Sequence, residues 1–140
     1  TDMSRFPSDK HLCSWAGLCP GDNESAKKRK SGKTRKGNEM LKTTLVVCAN
    51  SAVKNKNSYF HAQYQRISAR RGKKRAKVAV AHSMLIAIYH ILKDGPGTGV
   101  VFQDLGADYY NQFNRERKIN SYLKKARSLG WDGSAVAAPA

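Results

Sequence analysis

Residues 76–93 limit the possible folds of this chain more than any other segment. Val78, Ala81, Leu85, Ile88 and Leu92 recur at the spacing of one helical face, and Ala79, Val80, Ile86, Ala87 and Tyr89 widen that face almost all round. A helix apolar on most sides has to sit among other elements. The segment is therefore expected to be the central, most buried helix. Gly72 precedes it, and Lys93-Asp94-Gly95-Pro96-Gly97 stops it.

Other segments supply its partners. Ser8 is placed to cap a short helix through His11, Leu12, Trp15 and Ala16, which Gly17 and Pro20-Gly21 end. Asn38 is placed to cap a second, with Leu41, Leu45, Cys48 and Ala52 on one face. Phe60, Tyr64 and Ile67 mark a third, with Arg66, Arg70 and Arg71 towards its C-terminal end, where cations suit the helix dipole. Residues 100–102 read as a short extended piece, 104–113 as a short helix or turn, and Ile119, Leu123 and Ala126 as a last helix ending near Gly130. The expectation is an all-α, compact bundle of about five or six helices with a long basic loop. It forms one domain over 1–130, followed by a disordered tail at 131–140.

The loop is residues 21–37, GDNESAKKRKSGKTRKG, without one large apolar side chain. A loop or a hairpin held at both ends fits that composition better than a packed element. It carries Lys27, Lys28, Arg29, Lys30, Lys33, Arg35 and Lys36. A second cluster is Arg66, Arg70, Arg71, Lys73, Lys74, Arg75 and Lys77, and a third is Arg115, Arg117, Lys118, Lys124, Lys125 and Arg127. In all, 26 basic side chains face 10 acidic ones, a formal net charge of +16. Clustered excess charge favours a polyanion, because each cation that neutralises a phosphate releases counterions. The first cluster alternates with Gly and Ser and has no aromatic residue, which suits backbone contact rather than base stacking. No apolar run approaches the ~20 residues of a spanning helix, so no membrane partner is expected.

The familiar enzymatic signatures are missing. There is no HExxH, GxSxG, P-loop or Gly-rich dinucleotide motif. The carboxylates are scattered, so no metal site is expected in this chain. Asp104 and Asp108 read as a cap and a surface charge, and His82 and His90 as hydrogen-bonded core histidines. Cys13, Cys19 and Cys48 are an odd number without a CxxC pair and read as reduced, half-buried residues of a cytoplasmic protein. What remains is Ser25, in Asn23-Glu24-Ser25-Ala26, beside a run of cations able to hold a phosphate. By composition alone it is a turn residue.

One stretch changes that reading. Trp15-Ala16-Gly17-Leu18-Cys19-Pro20, then Ser25-Ala26, then Arg35-Lys36-Gly37-Asn38 with Leu41-Lys42, resembles the C-terminal transposase domain of the insertion-sequence-110/116/902 family. RRGKKRAKVAVAHSMLIAIYHILKDG and FQDLGADYY are similar to one subgroup of it. The resemblance spans residues 1 to about 130 and is most specific over 15–42. Lys27 stands where that family commonly has glycine, and Lys42 where it has arginine. Lysine offers a point charge rather than a planar fork.

The resemblance implies a DNA recombinase whose nucleophile is Ser25, with Ser31 the nearby rival. Lys27, Lys28, Arg29, Lys30, Lys33, Arg35, Lys36 and Lys42 are expected to hold phosphates. Arg70, Arg71, Lys73, Lys74 and Arg75 are expected to contact the backbone of DNA or a guide RNA. It also implies a separate N-terminal RuvC-like domain with the Mg²⁺-binding carboxylates, donor and target DNA as partners, a homo-oligomer and a cytoplasmic, nucleoid-associated prokaryotic setting. On that reading this chain by itself is inactive. The alternatives from composition are a non-catalytic helical nucleic-acid-binding module and, more weakly, a structural oligomerisation domain.

Overall fold

In the computed structural model, the apolar run around Leu85 forms helix α4 (Lys73–Asp94). Helices α1 (Asp9–Trp15), α2 (Glu39–Ala52) and α3 (Tyr59–Arg71) all pack against it, and α5 (Gly106–Ser128) lies against α3. The structure describes residues 3–21, 23–25, 28–31, 33–94, 99 and 101–133, with the backbone alone at 23–25, 28–31 and 113–114. The fold is all-α, as expected. A short two-stranded antiparallel ribbon, β1 (Asn23–Ser25) with β2 (Lys28–Ser31), occupies the basic segment. The tail 134–140 lies outside the described residues.

The central helix is where the apolar pattern put it, but its buried face is turned. Ala76, Val80, Ala81, Leu85 and Tyr89 are buried, whereas Ile88 and Leu92 stand 36% and 39% exposed. Three helices cover one side of α4, and a helix apolar nearly all round does not reveal which side that is. Tyr89 sits inside because its hydroxyl donates to the Phe6 carbonyl at 3.0 Å, which satisfies its polar tip. Ile88, one residue before Tyr89, stands about 100° round the helix from it, beyond that cover. Leu12, Cys13, Leu18, Leu45 and Ala49 complete the core from α1, its C-terminal turn and α2. Each fully buried large side chain contributes about 1.5–3 kcal/mol. By length and composition alone the 22-residue α4 also matches a membrane-spanning helix. Its apolar residues instead serve as the core on which α1, α2 and α3 pack.

Local signals set the helix ends. The Asn38 side chain accepts the Leu41 amide at 2.9 Å and caps α2. Gly72, at φ +84°, makes the corner between α3 and α4 in a conformation glycine tolerates. Ser8 precedes α1, but its hydroxyl pairs with His11 Nδ1 at 2.8 Å instead of capping an amide. The two pieces expected between 104 and 126 are one helix, since Asn114-Arg115-Glu116-Arg117-Lys118 contains no breaker. Asp104 is a cap, as expected: its carboxylate accepts the Tyr59 amide at 3.0 Å and the Gly106 amide at 2.8 Å. Residues 101–105 form no regular element, and Phe102 stacks on Phe60.

Several smaller expectations change. Cys13 is buried and Cys19 partly so, but Cys48 is exposed, because the covered side of α2 runs through Leu45 and Ala49. His82 is half-buried, and burial holds its imidazole below the ordinary value, with Asp9 opposing. His90 is on the surface, 3.3 Å from Asp94 one turn on, so it is no core histidine.

Candidate nucleic-acid interface

The basic ribbon grows from a stem that the core holds. Past α1 the chain turns at Gly17 (φ +71°) and drops Leu18 into the core. It then runs antiparallel to the segment entering α2. Asn38 N–H donates to Trp15 O at 3.2 Å, Arg35 N–H to Cys19 O at 3.4 Å, and Gly21 N–H to Lys33 O at 2.8 Å. A bridge at Pro20 and Thr34 lies within this ladder. Beyond it Asn23 pairs with Ser31, Glu24 with Arg29 and Ser25 with Lys28, with an irregularity after Asn23.

Two glycines close the base of the stem. A Cβ on Gly37 would stand 2.6 Å from the Ala16 carbonyl carbon and from Gly17 Cα. A Cβ on Gly17 would meet the Arg35 carbonyl oxygen at 2.9 Å. The strands cross here with no room for a side chain on either. Lys42 adds a tie from α2, donating through Nζ to Thr34 Oγ1 at 2.7 Å. Lys42 therefore has a structural bond in addition to any anion it meets.

The structure sets out the predicted cations as follows. Lys33, Arg35 and Lys36 are exposed on the returning limb. Lys28, Arg29 and Lys30 lie in β2, whose backbone alone is described, and Lys27 lies outside the described residues. The same applies to the side chains of Ser25 and Ser31, so only the strand position of Ser25, opposite Lys28, is on view. Arg35 lies near Cys19: burial raises that thiol's pKa and the Arg35 charge opposes the rise.

The second cluster surrounds the Gly72 corner, with Arg70, Arg71, Lys73, Lys74 and Arg75 all exposed. Three of these open α4, and no acidic residue stands in that first turn. Cations at a helix N-terminus oppose the dipole, at about 0.3–1 kcal/mol each. An anion lying there offsets that repulsion. The third cluster is exposed along α5.

A groove that sequence reasoning missed lies between α3 and α5. Lys56, His61, Gln65, Arg66, Asn111 and Lys118 line it, over Ala62 and Ala107. The Arg66 guanidinium sits over the Tyr110 ring at 5.9 Å. His61 Nδ1 lies 2.6 Å from Val53 O, so that nitrogen carries the proton, and the Gln65 amide donates to Nε2 at 3.3 Å. The helices that form the groove are some fifty positions apart in sequence, and no short-range pattern announces such a pairing.

Among the described residues, no three His, Cys, Asp or Glu side chains come together as a metal site. What the arrangement can do is bind polyanions along exposed cationic edges and hold a hydroxyl-bearing strand at the end of a fixed stem.

The fold and these surfaces define a basic, all-α domain. Residues 1–65 match the model of the transposase IS116/IS110/IS902 family. That stretch runs from the first turn through α1, the glycine-closed stem, the ribbon and α2 into α3. The match supports a transposase role with DNA as the partner class. No curated protein and no solved structure matches the chain.

Proposed function

We propose that this chain is the serine-bearing domain of an RNA-guided transposase and that Ser25 is its nucleophile. The observation that carries the reading is the family match over residues 1–65, which takes in the whole stem and ribbon. In the proposed step, Ser25 Oγ attacks a DNA phosphate. An Oγ–P bond forms, the bond from phosphorus to the departing nucleotide's oxygen breaks, and the serine proton ends on that leaving hydroxyl. Lys28 is paired with Ser25 in the backbone register of the ribbon and is the cation assigned to stabilise charge on the phosphate. Lys27, Arg29, Lys30, Lys33, Arg35 and Lys36 hold flanking phosphates, and the cations at the Gly72 corner and on α5 hold the backbone of DNA or guide RNA. The carboxylates for Mg²⁺ belong to other residues of the transposase, and the working protein is a homo-oligomer.

The test is covalent trapping. In the whole transposase, incubation with its DNA and denaturation should leave a phosphoserine-linked nucleotide on the peptide containing Ser25. Strand exchange that persists in Ser25→Ala without an adduct on this peptide overturns the nucleophile and leaves a non-catalytic binding module.

A further inference from the structure

The α3–α5 groove has a chemistry of its own. Lys56, Arg66 and Lys118 bring three cations to its walls, and Gln65 and Asn111 bring amide donors. No carboxylate lines it. Such a donor set suits an anion and repels a metal ion. Ala62 and Ala107 keep the floor low, so a chain can lie close to both helices. Asn111 and Lys118 are two turns apart on one face of α5, about 10 Å along the axis. That is the reach of an extended anion rather than a single one. The walls are open at the surface, and the cations continue along α3 through Arg70, which is exposed. Among the described residues, Lys56 and Lys118 have no carboxylate partner, so their charge is available.

We propose that this groove binds a nucleic-acid phosphodiester backbone as a site separate from the serine-bearing ribbon, reading charge and not base sequence. This deepens the nucleic-acid reading above and rests on it. Lys56 and Lys118 pair with phosphates as point charges, Arg66 is held in place by Tyr110, and Gln65 and Asn111 donate to phosphate oxygens. DNA and RNA both carry this phosphodiester, and the two arms of the experiment tell them apart.

The experiment titrates the 140-residue chain with a duplex DNA and a hairpin RNA of matched length over a range of salt. The double variant Lys56→Ala/Lys118→Ala should flatten the slope of log affinity against log salt by about two with the nucleic acid the groove takes. Gln65→Ala and Asn111→Ala should each weaken binding about fivefold at unchanged slope, since an amide releases no counterions. Lys10→Ala, at an exposed position of α1, controls for net charge and should change little. A thermal melt of each variant confirms folding. Loss with DNA alone, or with RNA alone, supports the site and names its source. Wild-type binding that the groove variants alter no more than Lys10→Ala overturns the groove and spares the wider reading. Absence of wild-type binding at low salt overturns both.

Discussion

Gly37 lies directly on the backbone of Gly17: a methyl group on Gly37 would stand 2.6 Å from Gly17 Cα. Backbone atoms cannot rotate aside. Gly37→Ala should therefore lower stability by about 1–3 kcal/mol, the range of overpacking in a closed contact. Gly17→Ala adds the strain of a left-handed backbone, about 1–2 kcal/mol more. Both should melt several degrees lower, and both should lower ribbon-dependent activity. Wild-type melting of either variant would mean that the two limbs do not cross here.

Asp104 caps an element 45 residues away, taking the Tyr59 amide at the start of α3 as well as the Gly106 amide at the start of α5. Asp104→Ala leaves both amides without that acceptor and should cost about 1–2 kcal/mol. Asp104→Asn keeps an acceptor oxygen and should lose less. Chemical denaturation of the three proteins gives the order.

Acid should destabilise the chain through His82. Burial depresses its pKa from 6.5, so below that value the unfolded chain takes up a proton that the folded chain resists. The stability that neutral His82 provides is present above about pH 6.5 and is lost as pH falls. Melting temperature should drop more steeply between neutral and mildly acid pH in the wild type than in His82→Gln. Parallel pH profiles would assign the effect elsewhere.

The thiols should separate by reactivity. Burial raises the Cys13 pKa to about 12, leaving almost no thiolate at neutral pH. Cys48 is exposed. A maleimide should label Cys48 first and Cys13 only on unfolding. The same shift predicts falling stability from about pH 9 upwards, because the unfolded thiol ionises where the folded one does not.

With Ser25 as the proposed nucleophile, Ser25→Ala in the whole protein should abolish strand exchange and leave binding nearly unchanged, since no charge is removed. Lys28→Ala should weaken binding and flatten the salt slope by about one phosphate's worth. Ser31→Ala should stay active. Recombination by Ser25→Ala but not by Ser31→Ala would transfer the nucleophile to Ser31.

The sequence announces what short-range chemistry decides. Asn38 as a cap, Gly72 as a corner and the apolar run of α4 all follow from neighbours in the chain. The buried side of α4 was not legible, because Ile88 and Leu92 are as apolar as Val80 and Leu85 and differ only in what packs on them. Gly17 reads as a helix stop, but nothing in it says that Gly37 lies across it. The cations were legible as clusters. The groove needed α5 laid on α3, a contact fixed partly by Tyr59 and Tyr110, whose rings meet edge to face at 4.9 Å. Ser25 stands out only through the family resemblance of the residues around it.

Among the described residues, α5 packs on the other helices through α3, whereas α3 is also packed on α4. Opening α5 exposes one interface and leaves the Leu85–Tyr89 core covered. Helices α5 and α4 are therefore expected to open as different cooperative units. Amide hydrogens along α5 should exchange with solvent through a local event long before those of α4, which wait for global unfolding. The outer wall of the α3–α5 groove can thus detach and reclose while the stem that carries the ribbon stays folded.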